Sequence, residues 1–344
     1  MRLAFAVILA LIAFAAPAWA ARWGYSGAKT ISNADLLPHP LDSLSYMEQW
    51  SGTAVFAKNH TLNFNLIHSS LTTKSDKAVF RVEYNTPDGK TVEDAERCTI
   101  RSESNPVKLV CGSSILLAST TDMSIVFVGK KLQVTAKLTS LSKPFRPKNG
   151  RILNPDNSKE FYDFWLVIPR GKALAKINGN VLKGYGSADH SYTNTGYHKI
   201  SRHWLRTTYH DNDVSILFAV NQLKDGRSAA WAAVATDAAS YATADLTATL
   251  ANPLPDSGKD GYFAPRNVTL VGSGGFTLNV PGMSLKSKSD MLDGLSTVEA
   301  FVARRFSDPM RYAMEGTAQV QWTANGQPAT TSRPVVVVVK QMNE

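Results

Sequence analysis

The chain has 344 residues, of which 44% are hydrophobic and 19% charged. This balance supplies enough apolar side chains for folded cores and excludes an extended disordered protein. The formal net charge of +9 comes from 37 basic and 28 acidic residues, but the basic residues are scattered and form no stripe with aromatic ones, so nucleic acid is not an expected partner. Peripheral contact with an anionic membrane is one interpretation of the basic surface, and a merely solvated surface is the other.

The first twenty residues have the pattern of a secretory signal peptide. Arg2 precedes an apolar run over 3–16, and a small-x-small tripeptide ends at Ala20, which predicts cleavage after that residue. The run is too short for a membrane-spanning helix of about 20 residues. We therefore expect a periplasmic or secreted protein, with an uncleaved membrane anchor as the alternative.

The length beyond residue 20 exceeds what one hydrophobic core usually organises, so two domains are expected. Asn178 and Gly179 form a predicted turn near the middle of the chain. We place the boundary beside this turn, which gives an N-terminal domain over 21–176 and a C-terminal domain over 177–344.

Alternating or continuous apolar runs dominate the rest of the chain and are typical of antiparallel strands that are half or fully buried. In chain order they cover residues 62–66, 78–84, 132–139, 161–168, 214–220, 229–235, 318–322 and 334–340. Asn325-Gly326 predicts a further tight turn. One short helix is expected from Thr297 to Arg305, after a capping box. The sequence therefore predicts an all-β protein built from barrels or sandwiches.

The two cysteines, Cys98 and Cys111, flank a predicted hairpin that turns at Asn105-Pro106. This arrangement brings the two sulfur atoms together, and in an oxidising compartment they should form a disulfide. A redox-active or zinc-binding pair is the alternative, but the sequence has neither CxxC spacing nor a nearby histidine.

Titratable and aromatic residues concentrate between positions 189 and 210. Four of the seven histidines lie here, beside Asp189, Tyr192 and Trp204; they are His190, His198, His203 and His210. Their spacing matches no established metal-binding motif, so neither a metal ion nor another cofactor is expected.

The same region resembles a known superfamily. The fragments that carry the resemblance are Ile168-Pro169-Arg170-Gly171, Asn178-Gly179, Gly184-x-Gly186-x-x-Asp189-His190, Trp204 and Lys224-Asp225-Gly226, together with Glu48-x-Trp50 and Tyr312-Ala313-Met314-Glu315-Gly316. They are similar to motifs of the two-domain lipocalin-like superfamily that includes carotenoid 1,2-hydratases, AttH-like proteins and fungal survival-factor lipid carriers. The resemblance implies two tandem lipocalin-like (calycin-like) antiparallel β-barrels or sandwiches, with a lipid or isoprenoid held in or between them. Ser191 and Tyr192 replace the residues that usually follow Asp-His in the hydratase branch.

In hydratase relatives the implied chemistry is cofactor-free addition of water to a carbon–carbon double bond. Asp189 would be the acid or water-orienting carboxylate and His190 its partner, while Tyr192 and Trp204 would stabilise positive charge. Trp50 and Glu315 are further candidate ligand-binding residues. Neighbouring residues of a strand point to opposite faces, so the Asp–His pair requires a bulge or turn, which Gly184 and Gly186 would allow.

Each candidate also has a structural interpretation. Asp189 and His190 would then cap backbone groups and close a domain interface, and Trp50 and Trp204 would be core residues. Glu315 would pair with Arg305 or Arg311.

Three functions follow from these alternatives. An exported carrier or binding protein for a lipid or isoprenoid needs only an apolar cavity, and a hydratase-like enzyme needs Asp189 and His190 facing that cavity. A structural envelope protein needs neither. Export favours the first, because lipids cross an aqueous compartment only on soluble carriers.

Overall fold

The computed structural model describes residues 31–70, 77–147, 150–292 and 308–342. The predicted signal peptide at 1–20 and the predicted helix from Thr297 to Arg305 lie outside these ranges. Strands make up most of the described chain, and the α-helix α1 covers only Tyr197–Ile200. The prediction of an all-β protein is therefore confirmed.

The first sheet contains eleven strands from the first part of the chain. They are β1 (Met47–Phe56), β2 (Thr61–Ser69), β3 (Lys77–Asn85), β4 (Thr91–Ser104), β5 (Val107–Cys111), β6 (Ser114–Ala118), β7 (Asp122–Val128), β8 (Gln133–Ser140), β9 (Arg151–Asn154), β10 (Asn157–Ile177) and β11 (Asn180–Thr193). Their order is β11-β1-β2-β3-β4-β5-β6-β7-β8-β10-β9, and a further pairing of β11 with β10 closes the sheet. The result is a ten-stranded antiparallel barrel with β9 added outside the ring.

Side chains fill the interior of this barrel. Burial alternates residue by residue along β1 and β2, as expected of strands with one face on a core. Trp50, Phe80 and Phe127 are fully buried, and the two phenylalanine rings meet edge to face with centroids 5.5 Å apart. A short 3-10 helix over Asn33–Leu36 is attached to the barrel, because the Leu36 carbonyl accepts a hydrogen bond from Trp50 Nε1 at 2.9 Å.

The predicted disulfide is present on the barrel. β4 and β5 form a hairpin in which Ser104 lies opposite Val107, so the predicted turn at Asn105-Pro106 is confirmed. Cys98 and Cys111 are bonded, with Cα atoms 5.2 Å apart.

The second sheet contains ten strands from the rest of the chain. They are β12 (Ser201–His210), β13 (Ser215–Leu223), β14 (Ser228–Ala235), β15 (Ser240–Thr243), β16 (Leu246–Pro255), β17 (Phe263–Gly272), β18 (Thr277–Val280), β19 (Ser284–Asp290), β20 (Met310–Ala324) and β21 (Gln327–Gln341). Nine of them follow the order β15-β14-β13-β12-β21-β20-β18-β17-β16, and β19 pairs with β20. The sheet curls around its own apolar core into a half-barrel.

The outer faces of the two sheets pack against each other. An apolar cluster lies between the sheets. It includes Phe164 and Leu166 on β10, Leu217 on β13 and Trp231 on β14. Sheet membership changes between β11 and β12, after the β10–β11 hairpin that turns at 178–179. The division into folding units at 176/177 stays a prediction.

A buried arginine adds a polar connection between the sheets. The Arg170 guanidinium, on β10, donates to Asp237 Oδ1 at 2.8 Å and to the carbonyls of Asp211 and Asn212 at 3.0 and 2.9 Å. It also donates to Ser215 Oγ at 3.1 Å, and it lies 3.8 Å from the centre of the Tyr185 ring on β11. All of the hydrogen-bonding partners belong to loops or strand ends of the second sheet, so Arg170 fastens the two sheets together.

Candidate ligand-binding cleft

The predicted pair Asp189 and His190 is not formed, because β11 keeps a regular register against β1. Ser51 lies opposite Asp189 and Trp50 opposite His190, and the two candidate side chains point to opposite faces of the strand. The expected bulge at Gly184 and Gly186 is not on β11: the irregularities in its pairing with β10 place the extra residues on β10, between Leu166 and Gly171. A Cβ atom on either glycine would clash with carbonyl oxygens of β1, at 2.0 and 2.3 Å, so these glycines instead allow the two backbones to approach closely.

His190 points into the barrel and belongs to a buried polar network. Its Nε2 lies 2.7 Å from Glu48 Oε1 and its Nδ1 lies 3.0 Å from the carbonyl oxygen of Asp35. Each ring nitrogen thus lies within hydrogen-bonding distance of an oxygen atom. The indoles of Trp50 and Trp165 stack on its two faces, with centroids 4.8 and 5.0 Å away.

Glu48 is the centre of this network. Its carboxylate accepts hydrogen bonds from the Tyr46 hydroxyl, from the His39 backbone N–H at 2.8 Å and from the His39 and His190 rings at 2.9 and 2.7 Å. Burial alone would raise the pKa of Glu48, but the hydrogen bonds from His190, His39 and Tyr46 and the charge of His190 outweigh it and lower the pKa from 4.5 to about 2. The network therefore stabilises a buried carboxylate and fixes the segment before β1 to the barrel.

His39, Glu48 and His190 also offer three potential metal-ligand atoms that lie within 4.8 Å of one another. Hydrogen bonds already join these atoms, and they account for the close approach. The expectation that the protein uses no metal stays a prediction.

Asp189 points out of the barrel towards the second sheet. Its Oδ2 accepts a hydrogen bond from Arg206 Nη2 at 2.6 Å, in an ion pair that joins β11 to β12. Its Oδ1 is buried and has no hydrogen-bonding partner among the described residues. Only 3% of the residue is exposed, so this oxygen is an unsatisfied acceptor at the contact between the sheets.

A cleft of about 690 Å³ lies between the sheets at this contact. The wall from the first sheet has a polar part, with Gln49, Thr53, Asn63 and Arg81, and an aromatic part, with Tyr162 and Phe164 on β10. The wall from the second sheet is aromatic, aliphatic and cationic; it includes Trp204, Arg206, Ala219, Trp231, Arg311, Val336, Val338 and Lys340. Asp189 lines an adjoining hollow of about 280 Å³ that shares Thr53, Asn63, Arg81, Arg206 and Thr208 with the cleft.

The remaining predicted residues are divided between the barrel and the cleft. Trp50 is a barrel core residue, and Tyr192 stacks on His39 with centroids 4.6 Å apart, away from the residues that line the cleft. Trp204 lines the cleft, and its Nε1 has no partner among the described residues. Glu315 is half-exposed and lies 3.8 Å from Lys286, in a neighbouring groove of about 780 Å³.

Two tyrosines that the sequence did not identify as site residues also line the aromatic part of the cleft. Tyr162 and Tyr197 both line it and pack on Trp204, with ring centroids 5.0 and 4.8 Å from the indole. Burial raises the pKa of both phenols well above the usual range, so both hydroxyl groups are protonated at neutral pH and can donate hydrogen bonds. Tyr162 belongs to an apolar run, and no pattern in the sequence separates its outward face from its inward one.

The comparisons with known proteins concern the fold. No protein-family profile and no curated protein matches the sequence. Among solved structures, an AttH-like protein from Nitrosomonas europaea superposes with a TM-score of 0.55 at 12% identity, over 93% of this chain and 98% of that protein. CghA in complex with Sch210972 superposes with a TM-score of 0.59 at 9% identity, over 92% of this chain and 94% of CghA. The predicted lipocalin-like fold is confirmed. At these identities the similarity establishes the arrangement of the strands and does not establish the chemistry.

No helix within the described ranges has the length and apolar character that crossing a bilayer would require.

Proposed function

We propose that this protein binds or carries a hydrophobic small molecule, a lipid or isoprenoid, in the cleft between its two sheets. The observation that carries the proposal is the buried Asp189 Oδ1, which has no partner among the described residues and belongs to the hollow that adjoins the aromatic cleft. A buried acceptor without a hydrogen bond costs about 1–3 kcal/mol. A ligand with an apolar body and a hydroxyl group would remove this cost while it covers Trp204 and Trp231.

The size and lining of the cleft support the same conclusion. Ligand sites usually have volumes of about 300–1,000 Å³ and combine apolar walls with a few polar groups that orient the ligand. The cleft, at about 690 Å³, lies within this range. The Tyr162 and Tyr197 hydroxyls and the Trp204 indole N–H supply donors, and Asp189 supplies an acceptor.

The test begins with protein purified without its first 20 residues. Native mass spectrometry and solvent extraction would identify any lipid that co-purifies, and quenching of tryptophan fluorescence by added farnesol would measure binding. We expect saturable binding that Asp189→Asn weakens about tenfold, or by about 1.4 kcal/mol, since the amide oxygen can accept from Arg206 only if the NH2 donor replaces the free carboxylate oxygen. Glu315→Gln removes the charge of a half-exposed carboxylate on the second sheet, outside the cleft; it is the control and should leave binding unchanged. No co-purifying lipid together with no saturable quenching would contradict the proposal and favour a structural role.

A cofactor-free hydratase is the second candidate, and the same unpartnered oxygen favours it. Asp189 Oδ1 would accept a hydrogen bond from a water molecule beside a double bond of the bound ligand. His190 lies on the other face of β11 and would take no part. The assay is incubation with farnesol followed by mass spectrometry for a product that has gained one water. Turnover that Asp189→Asn abolishes would favour this function, and unchanged farnesol would favour binding alone.

We also propose that the protein works outside the cytoplasm. The Cys98–Cys111 disulfide and the signal-like first twenty residues support export. Expression of the full chain, cell fractionation and N-terminal sequencing should find the protein outside the cytoplasm and beginning at Ala21. Peripheral contact with a membrane stays a prediction.

A further inference from the structure

The second-sheet wall of the cleft contains a row of cross-strand neighbours with two adjacent cations. Trp204 on β12 lies opposite Lys340 on β21, and Lys340 lies opposite Arg311 on β20. All three line the cleft. Side chains that lie directly opposite one another on a sheet are close enough to interact, and like charges in such a pair destabilise the protein. The juxtaposition of Lys340 and Arg311 therefore has a cost that folding alone does not explain.

Neither of these two cations has an ion-pair partner within the described part of the chain. No described carboxylate forms an ion pair with Lys340 or Arg311, whereas the nearby Arg206 is paired with Asp189. Loss of hydration lowers the pKa of Lys340 to about 8, and the positive charges of Arg206 and Arg311 contribute in the same direction. The cations whose charge affects Lys340 thus come from two strands packed beside it, β12 and β20. An anion placed between Lys340 and Arg311 would relieve this repulsion.

The other wall and the aromatic end restrict what that anion is attached to. Trp204 is the direct neighbour of Lys340 in the row, Tyr197 packs on Trp204, and Trp231 also lines the cleft. An inorganic anion would leave this aromatic surface uncovered, whereas a neutral lipid would leave the two cations uncompensated. Only an amphipathic anion satisfies both ends of the cleft.

We propose that the ligand is an amphipathic carboxylate, such as a hydroxylated isoprenoid or fatty acid, whose carboxylate binds Lys340 and Arg311 and whose apolar body lies on Trp204. This inference rests on the proposed function and adds the chemical class of the ligand. Arginine binds carboxylates with two parallel hydrogen bonds, and lysine supplies a compact charge beside it.

The test compares two probes that share one apolar body, farnesoic acid and farnesol, at pH 7 by tryptophan fluorescence and calorimetry. We expect the acid to bind at least tenfold more tightly than the alcohol. Lys340→Gln and Arg311→Gln should each weaken the acid at least fivefold and leave the alcohol unchanged. Lys286→Gln, an exposed cation outside the cleft, is the control and should change neither. Added salt should weaken the acid more than the alcohol.

Stability gives a second readout. Lys340→Gln removes a cation that faces other cations. The midpoint of thermal unfolding of this variant should therefore equal or exceed that of the wild type, while its affinity for the acid falls. A fall in the midpoint would show that Lys340 stabilises the fold and would overturn the inference. Arg311, which is exposed, provides an independent variant if Lys340→Gln does not fold.

The outcomes separate this inference from the proposed function. Equal affinities for acid and alcohol would overturn the carboxylate preference and leave hydrophobic binding intact. A preference for the acid that survives both substitutions would place the carboxylate elsewhere and would also overturn the inference. Absence of binding by both probes would contradict the proposed function itself.

Discussion

Replacement of Glu48 by Gln should lower the free energy of unfolding by about 3 kcal/mol at pH 7. The magnitude follows from the pKa, which is 4.5 for an ordinary glutamate and about 2 in this protein, at about 1.4 kcal/mol for each unit. The physical reason is that the uncharged amide cannot accept four hydrogen bonds or neutralise the His190 ring between its two indoles.

The pH dependence of this effect has a definite sign. Because the pKa in the folded state lies below that in the unfolded state, the stabilisation is complete above pH 4.5 and is lost as the pH falls towards 2. The difference between wild type and Glu48→Gln should therefore shrink to about half near pH 3. Urea denaturation followed by circular dichroism at several pH values would measure it.

Glu103→Gln is the matched control. The Glu103 side chain is 59% exposed and pairs with Lys108 at the surface, so this change should cost less than about 0.5 kcal/mol at every pH. A Glu48→Gln effect that equals the control at pH 7, or that is the same at pH 7 and pH 3, would refute the account of the buried network.

Three further predictions concern the rest of the fold. Arg170→Met should lower the free energy of unfolding by about 1–3 kcal/mol, because it removes the hydrogen bonds that the buried guanidinium donates to the second sheet. Arg227→Met, a change in a local pair of partly exposed side chains, should lower it by less than about 1 kcal/mol; chemical denaturation would compare the two variants, and equal effects would contradict the connecting role of Arg170. Cys98→Ser should lower the free energy of unfolding by about 3 kcal/mol, because it removes a cross-link that closes a short loop. A denaturation midpoint equal to that of the wild type, with or without a reducing agent, would contradict this prediction. Burial lowers the pKa of His210 from 6.5 to about 3, so the NMR signals of its ring should not titrate between pH 8 and 5. Its contribution to the free energy of unfolding should fall as the pH drops from 6.5 towards 3, because only the unfolded state then takes up the proton. A titration midpoint near pH 6.5 would show that the ring is accessible to solvent.

The residue pattern was sufficient for the local structure. Period-two alternation predicted the strands, and Asn-Gly pairs at 178–179 and 325–326 predicted two hairpin turns that the structure confirms. The spacing of Cys98 and Cys111 around Asn105-Pro106 predicted the disulfide. These features depend on a few neighbouring residues, so the chain encodes them within a short stretch.

The site was only partly predictable. The motif fragments drew attention to Glu48, Asp189, His190 and Trp204, and all four have specific polar or aromatic environments in the structure. Sequence proximity suggested that Asp189 and His190 act together, which was wrong, because strand geometry sends them to opposite faces. Glu48 and His190 are 142 positions apart, and no local signal indicates that they meet.

The sequence by itself determined which segments become strands, where they turn and which cysteines pair, because alternation, turn residues and short loops act over a few positions. Tertiary structure alone decided which face of each strand borders the barrel core and which borders the cleft. Packing of the second sheet against the barrel brought Asp189 to Arg206, whereas the register of the β20–β21 hairpin set Lys340 beside Arg311. The Asp189–Arg206 ion pair joins the two sheets, and its energy depends on burial and on surrounding charges that no single stretch of the chain contains.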